Sequence, residues 1–255
     1  MRWLPLESNP EVMNAWSSAL GLSTDQVSFT DVYGLDAELL AMVPKPVYAV
    51  LMLFPISKEY EAARAAEHAR IVDQAGGALK SDERLIFIKQ TISNACGTIG
   101  LLHALANNSE IPITEGPLTK FLEQCRAKSP SERAQLLEDD CAIADVHADQ
   151  AQSGQSKVPS SDEEVNLHFI CFVKKIAQPD RPEAEPARLV ELDGRKAFPI
   201  DHGPIAPSQD LLEVSPTFSI ICLSLYDHRL LFSCYCLRRL WYRWSNSSFN
   251  CLRIM

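Results

Sequence analysis

The stretch "VYAVLMLFP" (47–55) constrains the fold more than any other segment of this chain. It carries no charge, and it is apolar enough to form a strand that is buried on both faces. A further strand is predicted for "QVSFTDVYG" (26–34), and a polar, alanine-rich helix for residues 58–75. An earlier helix is predicted to start with Asn9 as its cap and to end at Gly21.

Composition narrows the class of protein. The 255 residues fit one large domain or two small ones, and the net charge of −9 makes nucleic acid a poor partner. The eight cysteines form no C-x-x-C pair, and the first residues lack the apolar core of a signal peptide. No uncharged apolar run is long enough to span a membrane. We therefore expect a cytoplasmic monomer with reduced thiols, no cofactor and no metal.

Two segments differ from the rest of the chain. Residues 147–164, "HADQAQSGQSKVPSSDEE", contain no apolar run and are predicted to form a solvated loop. Residues 205–255 contain no lysine and have no clear helical or strand period. We therefore divide the chain into a domain over 1–204 and a divergent tail, which is expected to pack poorly because "FSIICLSL" is apolar and nearly uncharged.

The motif "QTISNACGTIGLLHAL" (90–105) contains the first candidate for chemistry, Cys96. With Ser93 or Asn94 as the cap, this cysteine lies in the first turn of a helix, where the dipole favours a thiolate. A buried structural cysteine is the alternative. His103 cannot be its base, because seven residues of helix separate the two by roughly 10 Å, and a packed helix residue is the better interpretation.

A better base is His168, in the predicted strand "VNLHFICFV". Residues 165–175 and 187–193 can form an antiparallel hairpin whose symmetric closure places Asp193 opposite His168. An aspartate there orients the imidazole and stabilises its charged form. Asp193 can also be read as a simple turn former. Gln90, just upstream of Cys96, carries an amide that can donate to an oxyanion.

These segments, together with "RWLPLESNPEV" and "LDGRKAFPIDHG", closely resemble the ubiquitin carboxyl-terminal hydrolases (peptidase family C12), particularly the short L3-type members. The resemblance covers about residues 1–204. It implies an α+β, papain-like cysteine protease fold, with an antiparallel sheet between helical layers and a knotted chain path. The implied activity is that of a thiol protease, or deubiquitinase, which releases small adducts or peptides from the C-terminal glycine of ubiquitin.

The resemblance also implies residue roles. Cys96 would be the nucleophile, His168 the general base and acid, Asp193 the orienting acid and Gln90 the oxyanion donor. Residues 147–164 match the crossover loop that spans the family's cleft. Ubiquitin, the expected partner, is predicted to contact Pro5, Leu6 and Leu167.

The chain departs from the family pattern in two places. About ten extra residues, around 176–187, enlarge the link between the His168 and Asp193 strands. After "FPIDHG" the pattern of a buried last strand is lost, which leaves two strand edges open unless "FSIICLSL" fills the slot. Two alternatives therefore remain: an inactive ubiquitin-binding variant, and a different thiol enzyme of the transglutaminase-like or acyl-transferring kind.

Overall fold

The computed structural model describes residues 1–74, 84–157, 159, 163, 165–175, 186–206 and 208–214, together with the backbone of 249–254. Its helices are α1 (Pro10–Ala19), α2 (Ala37–Leu40), α3 (Lys58–Gln74), α4 (Cys96–Ala106), α5 (Pro117–Cys125), α6 (Pro130–Asp139) and α7 (Cys141–Gln150). Its strands are β1 (Val27–Val32), β2 (Val47–Pro55), β3 (Leu167–Lys175), β4 (Arg188–Leu192), β5 (Ile200–Pro204) and β6 (Phe249–Ile254), and a 3₁₀ turn covers Leu211–Val214.

Within the described residues, the strands form one antiparallel sheet in the order β1-β6-β2-β3-β4-β5. The prediction for "VYAVLMLFP" is confirmed, because β2 is central and buries both faces. Ala49, Leu51 and Leu53 pack into the core shared with α1 and α4–α7. The alternate residues pack with Tyr60 of α3 and with the 3₁₀ turn. The sheet therefore lies between helical layers.

Local signals in the sequence set several element boundaries. Asn9 caps α1 by accepting from the Glu11 N–H group, and Pro10 occupies its first position. At the other end of α1, Gly21 has a φ of 114°, which a side chain would strain. α6 begins with the reciprocal Ser129–Glu132 capping box. The predicted Asn9 cap of α1 and its end at Gly21 are confirmed.

The C-terminal strand requires a correction. The lost pattern after "FPIDHG" leads to an expectation of two open strand edges, yet β6 pairs with β1 on one side and with β2 on the other. The last residues of the chain, 249–254, occupy this position. "FSIICLSL" (218–225) and the enlarged link over 176–185 lie outside the described residues. The boundary between domain and tail, and the packing of the tail, stay predictions.

The polar segment 147–164 also begins differently from the prediction. Residues 147–150 belong to α7, whose first turn is capped by Asp140 accepting from the Ile143 N–H group. His147 lies in the last turn of α7 and anchors that turn to the core. It is 2% exposed and contacts Thr98 Oγ1 and the Leu4 carbonyl oxygen. Burial of one polar residue thus extends the helix into a stretch that composition alone assigns to solvent.

Candidate active site

Cys96 is the first residue of α4, and its backbone surroundings differ from the predicted cap. The N-cap residue is Ala95, which provides no side-chain cap. Asn94, at φ 64°, instead donates from Nδ2 to the Trp3 carbonyl oxygen at 3.1 Å. The prediction that Ser93 or Asn94 caps α4 is therefore wrong. As a result, no N-cap side chain competes for the first-turn N–H groups of α4, which lie beside the thiol.

The N-terminal stretch supports this loop from outside. The Trp3 N–H group donates to the Ser93 carbonyl oxygen, and the Ser93 N–H group donates to that of Met1. Leu6 is buried, and a Cβ placed on Gly97 would come within 3.0 Å of the Leu6 Cβ atom. The N-terminal residues thus hold the turn that presents Cys96.

His168, near the start of β3, and Asp193, just after β4, complete the cluster. His168 Nε2 lies 2.7 Å from Asp193 Oδ1, and both side chains are almost fully buried. This bond leaves the other ring nitrogen of His168 for its hydrogen-bonding contact with the Cys96 thiol. The structure therefore brings Cys96, His168 and Asp193 together in one chain of contacts.

The hairpin prediction needs one correction. β3 and β4 pair with Cys171 opposite Leu192, so the predicted opposition of His168 and Asp193 is out of register. Continuing the ladder would set Asp193 opposite Ile170. His168 is the next residue on the same face of β3, since side chains alternate along a strand. The Asp193 side chain reaches it diagonally.

The electrostatic surroundings of Cys96 and His168 favour the charged forms of both side chains. Burial opposes the charged form of His168, but the Asp193 carboxylate and the Cys96 thiol outweigh it and raise the pKa of His168 to about 9. Burial likewise opposes the Cys96 thiolate, yet His168 and the Gly97 and Phe169 N–H groups lower the pKa of this thiol. Both shifts favour a thiolate at Cys96 beside an imidazolium at His168.

Gln90 lies in the same cleft. The cleft has a volume of about 290 Å³ and is lined by Cys96, His168, Gln90 and Leu167, among others. Gln90 Nε2 donates to the Ile92 carbonyl oxygen at 3.2 Å, which occupies one of its two N–H groups. Its backbone N–H group donates to the Gly194 carbonyl oxygen at 2.8 Å, which fixes Gln90 beside the Asp193 turn.

The predicted ubiquitin contacts differ in exposure, and His103 lies in the core. Leu167 is 40% exposed at the rim of the cleft, and Pro5 is half-buried. Leu6 is buried in the core, so little of its side chain is open to a partner. His103 is fully buried, stacks on Phe87, and accepts from the Ile88 N–H group at 2.9 Å. This position fits its interpretation as a packed helix residue.

Sequence reasoning missed Tyr60. Its hydroxyl donates to Asp193 Oδ2 at 2.7 Å, and only 2% of the residue is exposed. A signal was present, because Tyr60 is the lone aromatic residue in the otherwise polar helix α3. The partner could not be found in this way, since Asp193 is 133 residues further along the chain.

A larger cavity, of about 750 Å³, lies at the other ends of α4 and β3. It is lined by residues that include Tyr48, Glu110, Arg126 and Lys174, and no cysteine or histidine is among its described lining residues. The described part of the chain also contains no cluster of metal-ligating side chains, and none of its helices is long and apolar enough to cross a membrane. The smaller cleft at Cys96 is therefore the candidate for thiol chemistry.

Comparison with known proteins agrees with this geometry. Residues 3–220 match the family described as ubiquitin carboxyl-terminal hydrolase, family 1. The chain belongs to this family. Family membership makes it a thiol-dependent hydrolase and removes the basis for the transglutaminase-like alternative.

Relatives from distant organisms cover most of the chain. The ubiquitin carboxyl-terminal hydrolase 3 of Arabidopsis thaliana is 45% identical over 209 residues, covering 81% of this chain and 82% of the relative. The Drosophila melanogaster enzyme is 43% identical over 204 residues (80% and 83%). Human isozyme L1 is 39% identical over 214 residues (83% and 86%).

Among solved structures, the UCH37 catalytic domain of Trichinella spiralis, crystallised with ubiquitin vinyl methyl ester, aligns with a TM-score of 0.66. The alignment covers 100% of this chain and 96% of that one, at 19% identity. At this identity the likeness establishes the α+β fold alone.

Proposed function

We propose that this hydrolase cleaves small adducts or peptides from the C-terminal glycine of ubiquitin, with Cys96 as its nucleophile. One observation carries the assignment of the site: Cys96 stands at a helix start without a side-chain cap and contacts a histidine that is itself bound to a buried aspartate. The names of the relatives support ubiquitin as the substrate, as does the ubiquitin-derived ligand of the UCH37 structure.

In the proposed mechanism, the Cys96 thiolate attacks the carbonyl carbon of the scissile bond. The resulting oxyanion accepts from the free N–H of Gln90 Nε2 and from the first-turn N–H groups of α4. The His168 imidazolium then donates its proton to the leaving group, and an acyl-thioester remains on Cys96. Neutral His168 next takes a proton from a water molecule, which hydrolyses the thioester and releases ubiquitin.

Asp193 has no bond-breaking role in this scheme. Burial disfavours its ionised form, but the charge of His168 and the bonds from His168, Tyr60 and the Arg195 N–H group hold the pKa of Asp193 well below its usual 3.8. It therefore stays a carboxylate and keeps the imidazole oriented.

The surroundings of the cleft set the partner and the size of the leaving group. Exposed Leu167 at the rim and half-buried Pro5 on the N-terminal stretch are the candidates for ubiquitin contact, whereas Leu6 would contribute mainly by packing under Gly97. The loop that follows α7 would limit which leaving groups pass the cleft. The thiols of Cys96, Cys125, Cys141 and Cys171 are all unpaired, which supports a cytosolic location.

A ubiquitin carrying a C-terminal thiol-reactive group tests the proposal. We expect a covalent adduct with the wild-type chain and with Cys141→Ala, which removes an exposed cysteine at the start of α7. Cys96→Ala should give no adduct. Binding without an adduct in the wild type would favour the inactive ubiquitin-binding alternative, and an adduct that survives in Cys96→Ala would refute Cys96 as the nucleophile.

A further inference from the structure

The hydrogen bonds of the Asp193 carboxylate single out Tyr60. Asp193 Oδ1 accepts from His168 Nε2 at 2.7 Å and from the Arg195 N–H group at 2.8 Å. Its other oxygen, Oδ2, accepts from the Tyr60 hydroxyl at 2.7 Å. The Asp193 side chain is fully buried, so no bulk solvent replaces a lost donor. A buried charged oxygen left without a partner is costly, and the carboxylate would turn to avoid it.

Tyr60 itself is held rigidly. Its ring packs edge-on against Phe54 with the centroids 4.9 Å apart, and it lies 6.4 Å from the His168 ring. It does not line the Cys96 cleft. Burial, together with the adjacent Asp193 charge, raises the pKa of Tyr60, so the hydroxyl remains a donor throughout the working pH range. The hydroxyl thus has a fixed position and a single protonation state.

Other residues of α3 bind the segment that follows Asp193. Arg64 Nη1 donates to the Arg195 carbonyl oxygen at 3.1 Å, and Glu61 Oε1 lies 2.6 Å from Arg195 Nη2. About one turn beyond Arg64, Glu67 binds Lys196 Nζ at 2.6 Å. These contacts hold Arg195 and Lys196, the second and third residues after Asp193. The Asp193 Oδ2 atom is bonded separately, by the hydroxyl of the buried Tyr60.

We propose that Tyr60 is a positioning residue for the thiol hydrolase reaction: its hydroxyl fixes the plane of the Asp193 carboxylate and, through it, the orientation of His168 toward Cys96. The inference rests on the proposed function, because it assigns Tyr60 to the same nucleophile and base. Tyr60 acts through Asp193 and touches neither the substrate nor the reacting sulfur.

The variant that isolates the hydroxyl is Tyr60→Phe, which keeps the ring packed against Phe54. With wild-type enzyme and a ubiquitin C-terminal amide, we expect kcat to fall about tenfold, as for the loss of one hydrogen bond to a charged group. KM should stay within a factor of about two, because Tyr60 lies outside the cleft. A matched control is Tyr48→Phe, which removes a tyrosine hydroxyl bonded to Glu110 at the other cavity. It should change neither constant.

A second measurement needs no ubiquitin. The rate at which iodoacetamide alkylates Cys96 is followed against pH, by mass spectrometry of the peptide that contains it. The groups that face the sulfur are His168 and the N–H groups of Gly97 and Phe169, with Asp193 behind His168. In Tyr60→Phe the midpoint should move up by about one pH unit, because a misaligned imidazolium stabilises the thiolate less. A loss of packing alone lowers the melting temperature and leaves this midpoint in place.

A double-mutant cycle decides whether Tyr60 acts through Asp193. In the Asp193→Ala background, Tyr60→Phe should lower kcat less than about twofold, because the group it positions has gone. A full tenfold loss there, or a Tyr60→Phe enzyme with wild-type kcat and alkylation midpoint, would overturn the inference. If the wild type failed to hydrolyse any ubiquitin substrate, the proposed function would fall, while the alkylation midpoint would still test the Tyr60–Asp193–His168 linkage.

Discussion

Asp193 binds His168 diagonally across two neighbouring strands. The β3–β4 ladder pairs Cys171 with Leu192, and its continuation sets Asp193 opposite Ile170, yet the 2.7 Å bond is made to His168, two residues along β3. Asp193 lies beyond the last paired residue of β4, so its backbone is free of the ladder and can aim the side chain sideways. The Arg195 N–H group and the Tyr60 hydroxyl then complete its hydrogen bonds.

The alkaline limit of activity should report the protonation of His168. Because its pKa is raised from 6.5 to about 9, the imidazolium that protonates the leaving group is lost as the pH rises through about 9. We expect kcat for a ubiquitin C-terminal amide to fall above this pH, and less steeply for an ester whose leaving group needs no proton.

The interaction of protonated His168 with the Asp193 carboxylate stabilises the fold in a defined pH window. The folded pKa of His168 exceeds the unfolded value, so its contribution to the free energy of unfolding is complete below about 6.5 and is lost as the pH rises through about 9. Asp193→Asn removes the charge that raises this pKa, and the alkaline limb of kcat should move to lower pH. A limb unchanged in Asp193→Asn would contradict the assignment of the limb to His168.

Gly194 should be intolerant of any side chain. A Cβ atom placed there would lie 3.1 Å from the Gln90 Cβ, 3.2 Å from the Gln90 nitrogen and 3.2 Å from Ile99 Cγ2. Gly194→Ala therefore pushes Gln90 and Asp193 apart, and we expect kcat to fall by about tenfold or more. Gly203→Ala is the control: its φ of 106° strains a side chain, but no atom lies within 4 Å. It should lower the melting temperature and leave kcat unchanged.

His147 should make the fold sensitive to acid. Burial lowers the pKa of His147 from 6.5 to about 4, so the unfolded chain binds a proton that the folded chain does not between these values. The free energy of unfolding should therefore fall as the pH drops from 6.5 toward 4, by up to about 3 kcal/mol from this residue.

The matched variant is His147→Gln, whose amide can replace the contacts to Thr98 and to the Leu4 carbonyl oxygen without titrating. Urea unfolding at several pH values should show a shallower loss of stability in this variant than in the wild type. His68→Gln changes an exposed histidine and should follow the wild type. Equal slopes in all three proteins would contradict the role of His147.

Arg133 should be irreplaceable by lysine. It is 4% exposed and donates to the Cys125, Leu85 and Phe87 carbonyl oxygens, so one guanidinium joins the end of α5 to the segment that leads to Gln90. Lysine carries the same charge but cannot reproduce the planar fork. We expect Arg133→Lys to lower the free energy of unfolding by about 2 kcal/mol in urea titration. A loss under 0.5 kcal/mol, about the scale of a neutral surface change, would show that the fork is dispensable.

The sequence by itself determined the elements whose signals are local. The uncharged run 47–55 requires a strand buried on both faces, Asn9 and Ser129 cap their helices through groups two and three residues away, and Cys96 begins a helix. Alternation along 165–173 also placed His168 and Ile170 on one face. Each of these depends on chemistry within one or two turns of the chain.

Only the tertiary structure decided the relationships that join distant segments. Asn94 turns from its predicted cap toward Trp3, His147 is drawn into the core, and Tyr60 meets Asp193 across 133 residues of chain. The last strand pairs between β1 and β2 although its segment shows no clear strand period. Hydrogen bonds between groups far apart in sequence depend on how the layers pack, and a local pattern carries no record of that packing.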